Sequence, residues 1–314
     1  MQTETHPNDG KPLIVTREQF EQRLRARTLA GATVQGLDLG GAVLGRADLS
    51  GTRFEQVDLS DADLSGCVLK GAVLQACNLL GTNLEAAVLE GADLSSSRVR
   101  TPRLAGADLR TARFLKADLS GADLRKSKLQ GASFRHCLLS GAQAEAVDFQ
   151  GCDLVDATLL GAKLKGCNLT AVSARQVCLQ GADLTGAILN RIRAPESDLR
   201  AALLDQSQLL EANFTGSLLI GAVIRKANAK GAKLSRCCMR KCDLRGSLLE
   251  MADLSKADLS HANLDMAVLN KANLEHANLH RTSLNQASVA GANLAGVKKT
   301  DPERAKAEDF NPEK

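Results

Sequence analysis

The chain of 314 residues contains no Trp, no Tyr and only seven Phe, so aromatic residues make up 2% of it. Large aromatic rings do much of the filling of a wide three-dimensional core. Hydrophobic residues as a class are nevertheless 44% of the sequence, close to the average for globular proteins. The chain must therefore bury small and aliphatic side chains in a thin structure.

Long apolar segments are also absent. No stretch reaches the roughly 18 apolar residues that a transmembrane helix needs, and the acidic residues Glu4, Asp9, Glu18 and Glu21 interrupt the region where a secretory signal would lie. The odd count of nine Cys favours free thiols in a reducing compartment. We therefore expect no membrane insertion and a cytoplasmic location, with export by a signal-independent secretion system left open.

A period of five residues runs through most of the sequence. Every fifth residue from Leu29 to Leu294 is apolar, and 40 of these 54 residues are Leu. The residue two before each of them is nearly always small. An α-helix would spread such a stripe around its surface, and a flat strand would place it on alternate faces. The period is explained if the chain turns a corner every five residues, so that both stripes point inward.

The motif A-[N/D]-L-x-x resembles that of the pentapeptide-repeat family. It is clearest in AGADLRTARFLKADLSGADL at 105–124 and in ADLSKADLSHANLDMAVLNKANLEHANL at 252–279. The resemblance covers about residues 29–296. It implies an all-β fold, a right-handed quadrilateral β-helix or solenoid of about 13 coils, in which residues 20 apart stack in adjacent coils.

The segment before the repeats predicts an N-terminal cap, because the first coil of a solenoid exposes an apolar face and open β edges. Residues 1–15 are expected to be a disordered tail and residues 16–28 a helical cap. Thr16 is the expected N-cap, with Gln19 completing a capping box. The pentapeptide-repeat β-helix itself is placed at residues 29–296.

The segment after the repeats, residues 297–314, is expected to be a tail with a short helix. Pro302 suits the first helical position, so the helix should cover about residues 302–309. Phe310 is expected either to fold back onto the end of the repeats or to join a dimer contact.

Catalytic and metal-binding motifs are not found. The sequence has no G-x-S-x-G, no Walker A motif and no H-E-x-x-H, and a convex solenoid offers no cleft that desolvates a catalytic group. His261, His276 and His280 lie near one another, and we interpret them as surface polar residues because His261 would stack under Arg281. The sequence therefore predicts a non-enzymatic protein with no cofactor and no metal site.

Charge is uneven along the sequence, with a net of −6 over residues 29–97, +6 over 98–130 and +7 over 225–245. Some members of the resembled family protect DNA gyrase as strongly anionic DNA mimics, and a mimic needs a dense negative field. This sequence departs from that pattern because both signs occur around the coils. We call the positively charged segments 98–130 and 225–245 the basic belts. Nucleic-acid binding by the two basic belts is disfavoured because there is no aromatic side chain for base stacking.

Taken together, these features favour a protein–protein interaction rod in the bacterial cytoplasm. The alternatives are a DNA-mimicking, topoisomerase-interacting protein and a secretion-system-associated effector or adaptor. One side of five consecutive coils has few charges and is the candidate contact surface. It is expected to bind a protein partner of unknown identity or a second copy in a homodimer, and its apolar residues are Leu138, Leu160, Cys178, Leu218 and Ile220.

Overall fold

The computed structural model describes residues 13–95 and 97–309. Residues 1–12 of the expected disordered tail and the role of Phe310 therefore lie outside the described residues, whereas Leu13–Ile14, which were expected to belong to that tail, form a strand. The chain divides into two compact units, unit 1 at residues 1–168 and unit 2 at residues 169–314.

Unit 1 begins with the elements β1 (Leu13–Ile14), α1 (Arg17–Ala26), β2 (Thr33–Gln35), β3 (Arg53–Glu55) and β4 (Val73–Gln75). The four strands form one parallel sheet in the order β1-β2-β3-β4. Each strand pairs with residues 20 positions later in the chain. After β4 the same register continues through isolated parallel bridges, so unit 1 is a stack of coils of 20 residues.

Unit 2 has the same register of 20 residues, but its described residues pair only through isolated bridges. Its isolated parallel bridges run from Ser173 paired with Arg193 to Asn278 paired with Lys298. The helix α2 (Pro302–Asp309) follows the last coil. Among the described residues helices occur only at α1 and α2, so the described repeats contain no helix, as expected for an all-β solenoid.

The corners of the coils are β-turns closed by backbone hydrogen bonds. At the first corner the amide of Ala32 donates to the carbonyl oxygen of Leu29 at 3.0 Å, and Gly31 has a φ of 72°. A positive φ at the third position of a turn is typical of type II geometry. The same left-handed conformation recurs at every fifth described residue as far as Gly296. A corner every five residues and a register of 20 give each coil four sides.

The two stripes predicted to point inward form the core. Leu49 and Leu69 are both buried, and the amide of Leu49 donates to the carbonyl oxygen of Val68 at 2.8 Å. The two leucines therefore stack in adjacent coils, as the period predicted. Ala72, from the small stripe, is fully buried between such coils.

The Asp or Asn that precedes the central Leu of the motif has a structural role at the corner. The Oδ1 atom of Asp58 accepts the amide of Ser60 at 2.8 Å and the side-chain amide of Asn78 at 3.1 Å. The first bond fixes the turn in the manner of an Asx-turn, and the second links one coil to the next. This arrangement explains why the motif contains Asp or Asn at a position that points away from the core.

Helix α1 begins with the predicted capping box. The hydroxyl of Thr16 accepts the amide of Gln19 at 3.2 Å, and Oε1 of Gln19 accepts the amide of Thr16 at 3.3 Å. The helix ends at Arg27, a C-cap residue with left-handed φ. Phe20 is buried and Leu24 is half-buried, so the apolar face of α1 packs against the start of the repeats.

Candidate interaction surfaces

In unit 1 the candidate contact surface contains Leu138 and Leu160, which are 44% and 45% exposed. Leu138 pairs with Thr158 in a parallel bridge, and the carbonyl oxygen of Leu160 accepts the amide of Gly141 at 2.8 Å. These contacts place both leucines on the same side of two adjacent coils. We call this pair the unit 1 patch.

In unit 2 the remaining three residues do not form one continuous surface. Cys178 pairs with Asp198, and Asp198 pairs with Leu218 one coil further on. Arg200 donates to both carboxylate oxygens of Asp198 at 2.9 and 2.6 Å. This ion pair lies between Cys178 and the exposed Leu218, so only Leu218 and the half-buried Ile220 remain together.

Ion pairs occupy many charged side chains of the basic belts. In unit 1 Arg110 contacts Asp108 at 2.7 Å and Glu90 at 3.2 Å, while Arg125 contacts Asp123 at 2.6 Å. The hydrogen bond from Arg110 holds the pKa of Asp108 below its ordinary value. The positive charge that the sequence concentrates at residues 98–130 is therefore partly neutralised by neighbouring acidic side chains.

The basic belt of unit 2 shows the same feature. Arg225 contacts Asp205 at 2.6 Å, and Arg245 contacts Asp243 at 2.6 Å. The Asp205–Arg225 pair joins residues 20 apart and therefore links two coils. These arginines stabilise the stack as well as contributing positive charge.

The histidine cluster differs from the sequence-based interpretation. His280 is only 2% exposed, so the prediction that it is a surface residue is wrong. It is covered because Glu308, on α2, places its Oε2 atom 3.2 Å from Nε2 of His280 and 3.3 Å from Nε2 of His261. The sequence reasoning missed Glu308, which lies 28 residues after His280 and has no motif to connect it with the histidines.

The proton arrangement of this cluster does not fit a metal ion. The amide of Asp301 donates to Nδ1 of His280 at 3.1 Å, which assigns the ring proton to Nε2. That proton points at Glu308, whereas a ligand nitrogen must offer a lone pair and usually donates through its other nitrogen. Arg281 adds a positive charge 3.4 Å from the same carboxylate oxygen. The cluster therefore holds α2 against unit 2 through hydrogen bonds and ion pairs.

A groove beside α1 was also missed by the sequence reasoning. It has a volume of about 540 Å³, and its lining includes Leu24, Leu44 and Ala47 together with the charged residues Arg46 and Asp48. The nearby Val43 is 75% exposed, because α1 covers only part of the first coil. A Val at an outward position of a repeat gives no sequence signal for such a groove.

The thiols are unsuited to nucleophilic chemistry in the core. All nine Cys are free, and seven of them are buried. Burial raises the pKa of Cys137, Cys152, Cys167 and Cys237 to about 12. Because the thiolate is the reactive form, these residues act as small core side chains.

Neither helix in the described part of the chain is long and apolar enough to cross a membrane.

Comparisons with known proteins agree with the repeat geometry. The family model for pentapeptide repeats matches the chain in eight copies, at residues 29–66, 62–100, 103–141, 152–191, 197–236, 207–246, 237–275 and 267–298. No curated protein matches the sequence.

Several solved structures are similar to the chain. HetL, a pentapeptide repeat protein involved in heterocyst differentiation regulation from the cyanobacterium Nostoc sp. strain PCC 7120, is 25% identical, with 89% of this chain and 95% of that one covered and a TM-score of 0.34. Full-length QnrB1, a plasmid-mediated fluoroquinolone resistance protein, is 19% identical, with coverages of 88% and 97% and a TM-score of 0.28. A pentapeptide repeat protein of the Arabidopsis thaliana thylakoid lumen is 27% identical over 44% of this chain and 75% of its own, with a TM-score of 0.20. Because the family model matches most of the sequence between residues 29 and 298, the chain belongs to the pentapeptide repeat family.

Proposed function

We propose that this protein is a non-enzymatic interaction protein that binds a protein partner through the unit 1 patch. The observation that carries the proposal is the exposure of Leu138 and Leu160 on one side of adjacent coils. The other outward positions of the same two coils, Ser140, Gly141 and Thr158, are uncharged, and Asp118 of the preceding coil borders the patch where it pairs with Leu138. Exposed apolar side chains are in contact with water in the free protein. Removing them from water at an interface stabilises the complex with a partner.

Binding suits the coils better than chemistry does. The inward positions are taken by packing, the corner Asp and Asn side chains bind backbone amides, and many arginines are held in ion pairs. The buried thiols are held in their unreactive form. Outward side chains of a repeat vary without disturbing this framework, so they are the part of the molecule that suits partner recognition. Reduced thiols also suit the bacterial cytoplasm, where we place the protein.

The DNA-mimic alternative is disfavoured by the ion pairs. A mimic needs a field of carboxylates that remain available to a DNA-binding enzyme. Here Asp108 and Asp123 in unit 1 each accept hydrogen bonds from an Arg two residues later. The negative charge on these sides is balanced locally, and a basic partner would have to displace the arginines. No feature of residues 13–95 and 97–309 favours the secretion-associated alternative.

The test is a binding comparison between surface variants of the full chain. Leu138→Glu with Leu160→Glu places two charges in the unit 1 patch, and it is compared in pull-downs from the native host with Leu115→Glu. Leu115 is 42% exposed but lies on another side of unit 1, which makes it a matched control. We expect the double variant to lose about tenfold or more in retention of a partner that the control keeps, equivalent to about 1.4 kcal/mol.

Two results would contradict the proposal. One is equal retention of every partner by the double variant and the control. The other is loss of partners by both variants, which would show that any charge on unit 1 disturbs binding. The patch of unit 2, Leu218 with Ile220, is proposed as a second contact and is tested by Leu218→Glu with Ile220→Glu in the same assay.

A further inference from the structure

The first coil of unit 1 is only partly covered at its N-terminal edge. Strand β1 covers one side of the coil, because Leu13–Ile14 pairs in parallel with β2. Helix α1 packs against the start of the repeats through the buried Phe20. Residues 43–48 lie along another stretch of the edge, and all six of them line the groove beside α1. We call this stretch the free edge.

The main chain of the free edge lacks the hydrogen bonds that every later coil forms at the same place. One coil later, the amides of Asp63 and Val68 donate to carbonyl oxygens of the first coil at 2.9 Å. The carbonyl oxygens of Asp63 and Ser65 accept amides of the first coil at 2.8 and 3.2 Å. The equivalent groups of the free edge have no partner within residues 13–95 and 97–309, and they are the amides of Val43 and Asp48 and the carbonyl oxygens of Val43 and Gly45.

Apolar side chains lie beside these unpaired groups. Val43 is 75% exposed, and Leu24 of α1 is half-buried. Ala47 is also half-buried, although Cys67, its counterpart one coil later, is fully buried. The groove of about 540 Å³ therefore combines an apolar surface with a β edge, a combination that natural proteins usually cover. A segment in extended conformation can satisfy both, and six residues of such a segment span about 20 Å.

The charges of the groove favour an acidic occupant. Arg27 and Arg46 line the groove and are exposed, and neither forms an ion pair with a described residue. Asp48 also lines the groove, but its Oδ1 atom accepts the amide and the hydroxyl of Ser50 at 3.0 and 2.6 Å. A carboxylate of a bound segment would find two guanidinium groups available, whereas a basic segment would meet like charges.

We propose that the groove beside α1 binds an extended, acidic and apolar segment of a partner protein, which adds to the free edge as a parallel strand. An apolar side chain of the segment packs against Val43 and Leu24, and a carboxylate pairs with Arg27 or Arg46. Strand β1 shows that this end of the repeats accepts an extended segment in parallel pairing. Main-chain bonds to a sheet edge supply affinity, and the side-chain contacts supply selectivity. The groove is separate from the unit 1 patch, so either proposal can fail without the other.

The first experiment selects binders from a random library of eight-residue peptides displayed on phage, with the full chain as the target. We expect enriched peptides to carry apolar residues two positions apart, because alternate side chains of a strand point to the same side. They should also contain at least one Asp or Glu. An absence of enriched peptides, or enrichment of basic peptides, would overturn the proposal.

Charge reversal then tests whether the selected peptides bind in the groove. Arg27→Glu with Arg46→Glu should weaken binding of a synthetic selected peptide about tenfold or more in fluorescence anisotropy. The control, Arg98→Glu with Arg113→Glu, makes the same change at exposed arginines of later coils and should bind like the native chain. A peptide whose acidic residues are replaced by Lys should prefer the groove variant to the native chain. Equal affinities for the two double variants would place the peptide elsewhere and contradict the proposal.

Removing main-chain donors tests the strand pairing itself. Alternate amides of a strand face opposite edges, so N-methylation of one alternating set of peptide amides should weaken binding about tenfold or more, while N-methylation of the other set is tolerated. Val43→Pro removes an amide that has no partner among the described residues, and it should weaken binding by a similar factor. Circular dichroism checks that this variant folds, and the N-methylated peptides test the same bonds on the native chain. If both N-methylated peptides bind as tightly as the parent peptide, the free edge does not pair with it and the proposal is wrong.

Discussion

The hydroxyl of Thr82 donates a hydrogen bond of 2.9 Å to the carbonyl oxygen of Leu59, 23 residues earlier in the chain. Thr82 belongs to the small inward stripe, and Leu59 is a central residue of the preceding coil. The same carbonyl also accepts the amide of Ala62 at 3.1 Å. A polar side chain in the core thus finds an acceptor in the coil below. Equivalent links join Thr52 to Leu29, Cys67 to Leu44, Ser97 to Leu74, Ser127 to Leu104 and Cys137 to Phe114.

Thr82→Val should lower the free energy of unfolding of unit 1 by about 1 kcal/mol, the usual net contribution of one hydrogen bond. The shape of the side chain is retained, and the carbonyl oxygen of Leu59 keeps its bond from Ala62, so no buried group loses every partner. The midpoint of urea unfolding measures the change. Thr185→Val, at an outward position, is the control and should change the midpoint little. Equal changes for the two variants would show that the hydroxyl of Thr82 does not link the coils.

The left-handed corners predict opposite effects for two glycines of unit 1. Gly121 has a φ of 71° and no atom within 4 Å of the position that a Cβ would take. Gly121→Ala should therefore destabilise unit 1 by about 1 kcal/mol through backbone strain alone. Gly45 also has open space but no positive φ. Gly45→Ala should be neutral or stabilising by up to about 1 kcal/mol, because it restricts the unfolded chain. Urea unfolding of both variants measures this contrast, and a destabilised Gly45→Ala would contradict it.

The exposure of the thiols predicts which cysteines react in the folded protein. Cys178 and Cys238 are half-buried, and the other seven are buried. Burial raises the pKa of Cys152 and Cys237 to about 12, which suppresses the thiolate form. Brief treatment with iodoacetamide should therefore modify Cys178 and Cys238 first, and all nine only after unfolding in urea. Peptide mass spectrometry identifies the sites. Early modification of Cys237 would show that the small stripe opens to solvent.

The five-residue period predicted the main features of the fold because it reports directly which side chains are buried. Leu49 and Leu69 stack as expected, and no helix interrupts the described repeats. The capping box of Thr16 and Gln19 was likewise visible in the sequence, since both partners lie within four residues. Both features follow from the spacing of residues that are close in the sequence, so they can be predicted without knowledge of tertiary contacts.

The surfaces were harder to predict because they depend on contacts between distant residues. His280 is buried in contact with Glu308 of α2, and the sequence gives no reason to bring α2 to that corner. The exposure of Leu294 was also hidden, because Leu294 has the same motif as the buried Leu274, but no further coil of the described residues lies above it. A repeat pattern shows which side chains point inward, but it does not show which of these side chains are covered by a further coil.

Acid should weaken the stack of unit 2 through the Asp205–Arg225 pair. Arg225 donates to both carboxylate oxygens at 2.9 and 2.6 Å, and these bonds hold the pKa of Asp205 below its ordinary value of 3.8. The unfolded chain therefore binds a proton more readily than the folded one. The stabilisation is present above about pH 4 and is lost as pH falls through the lower folded pKa.

Asp205→Asn should lower stability at pH 7 by less than about 1 kcal/mol, because the pair is partly exposed. It should also reduce the loss of stability between about pH 4 and pH 2. Arg225→Gln should reduce the acid loss in the same way, and the double variant should add little to either single change. Urea unfolding at several pH values measures these effects. Acid losses in the variants as large as in the native protein would rule out this pair as their source.

The largest expected effect concerns two neighbouring residues of unit 1 whose side chains point in opposite directions, one into the core and one to solvent. Leu164 is 1% exposed in the core, whereas Lys163 is exposed. Leu164→Asp should unfold unit 1, because a carboxylate there meets neither water nor a positive partner, and removal of the Leu leaves a cavity. Lys163→Asp introduces the same group on the surface and should change stability by less than about 0.5 kcal/mol. Circular dichroism melting compares the two variants, and similar losses would show that the inward and outward positions are wrongly assigned.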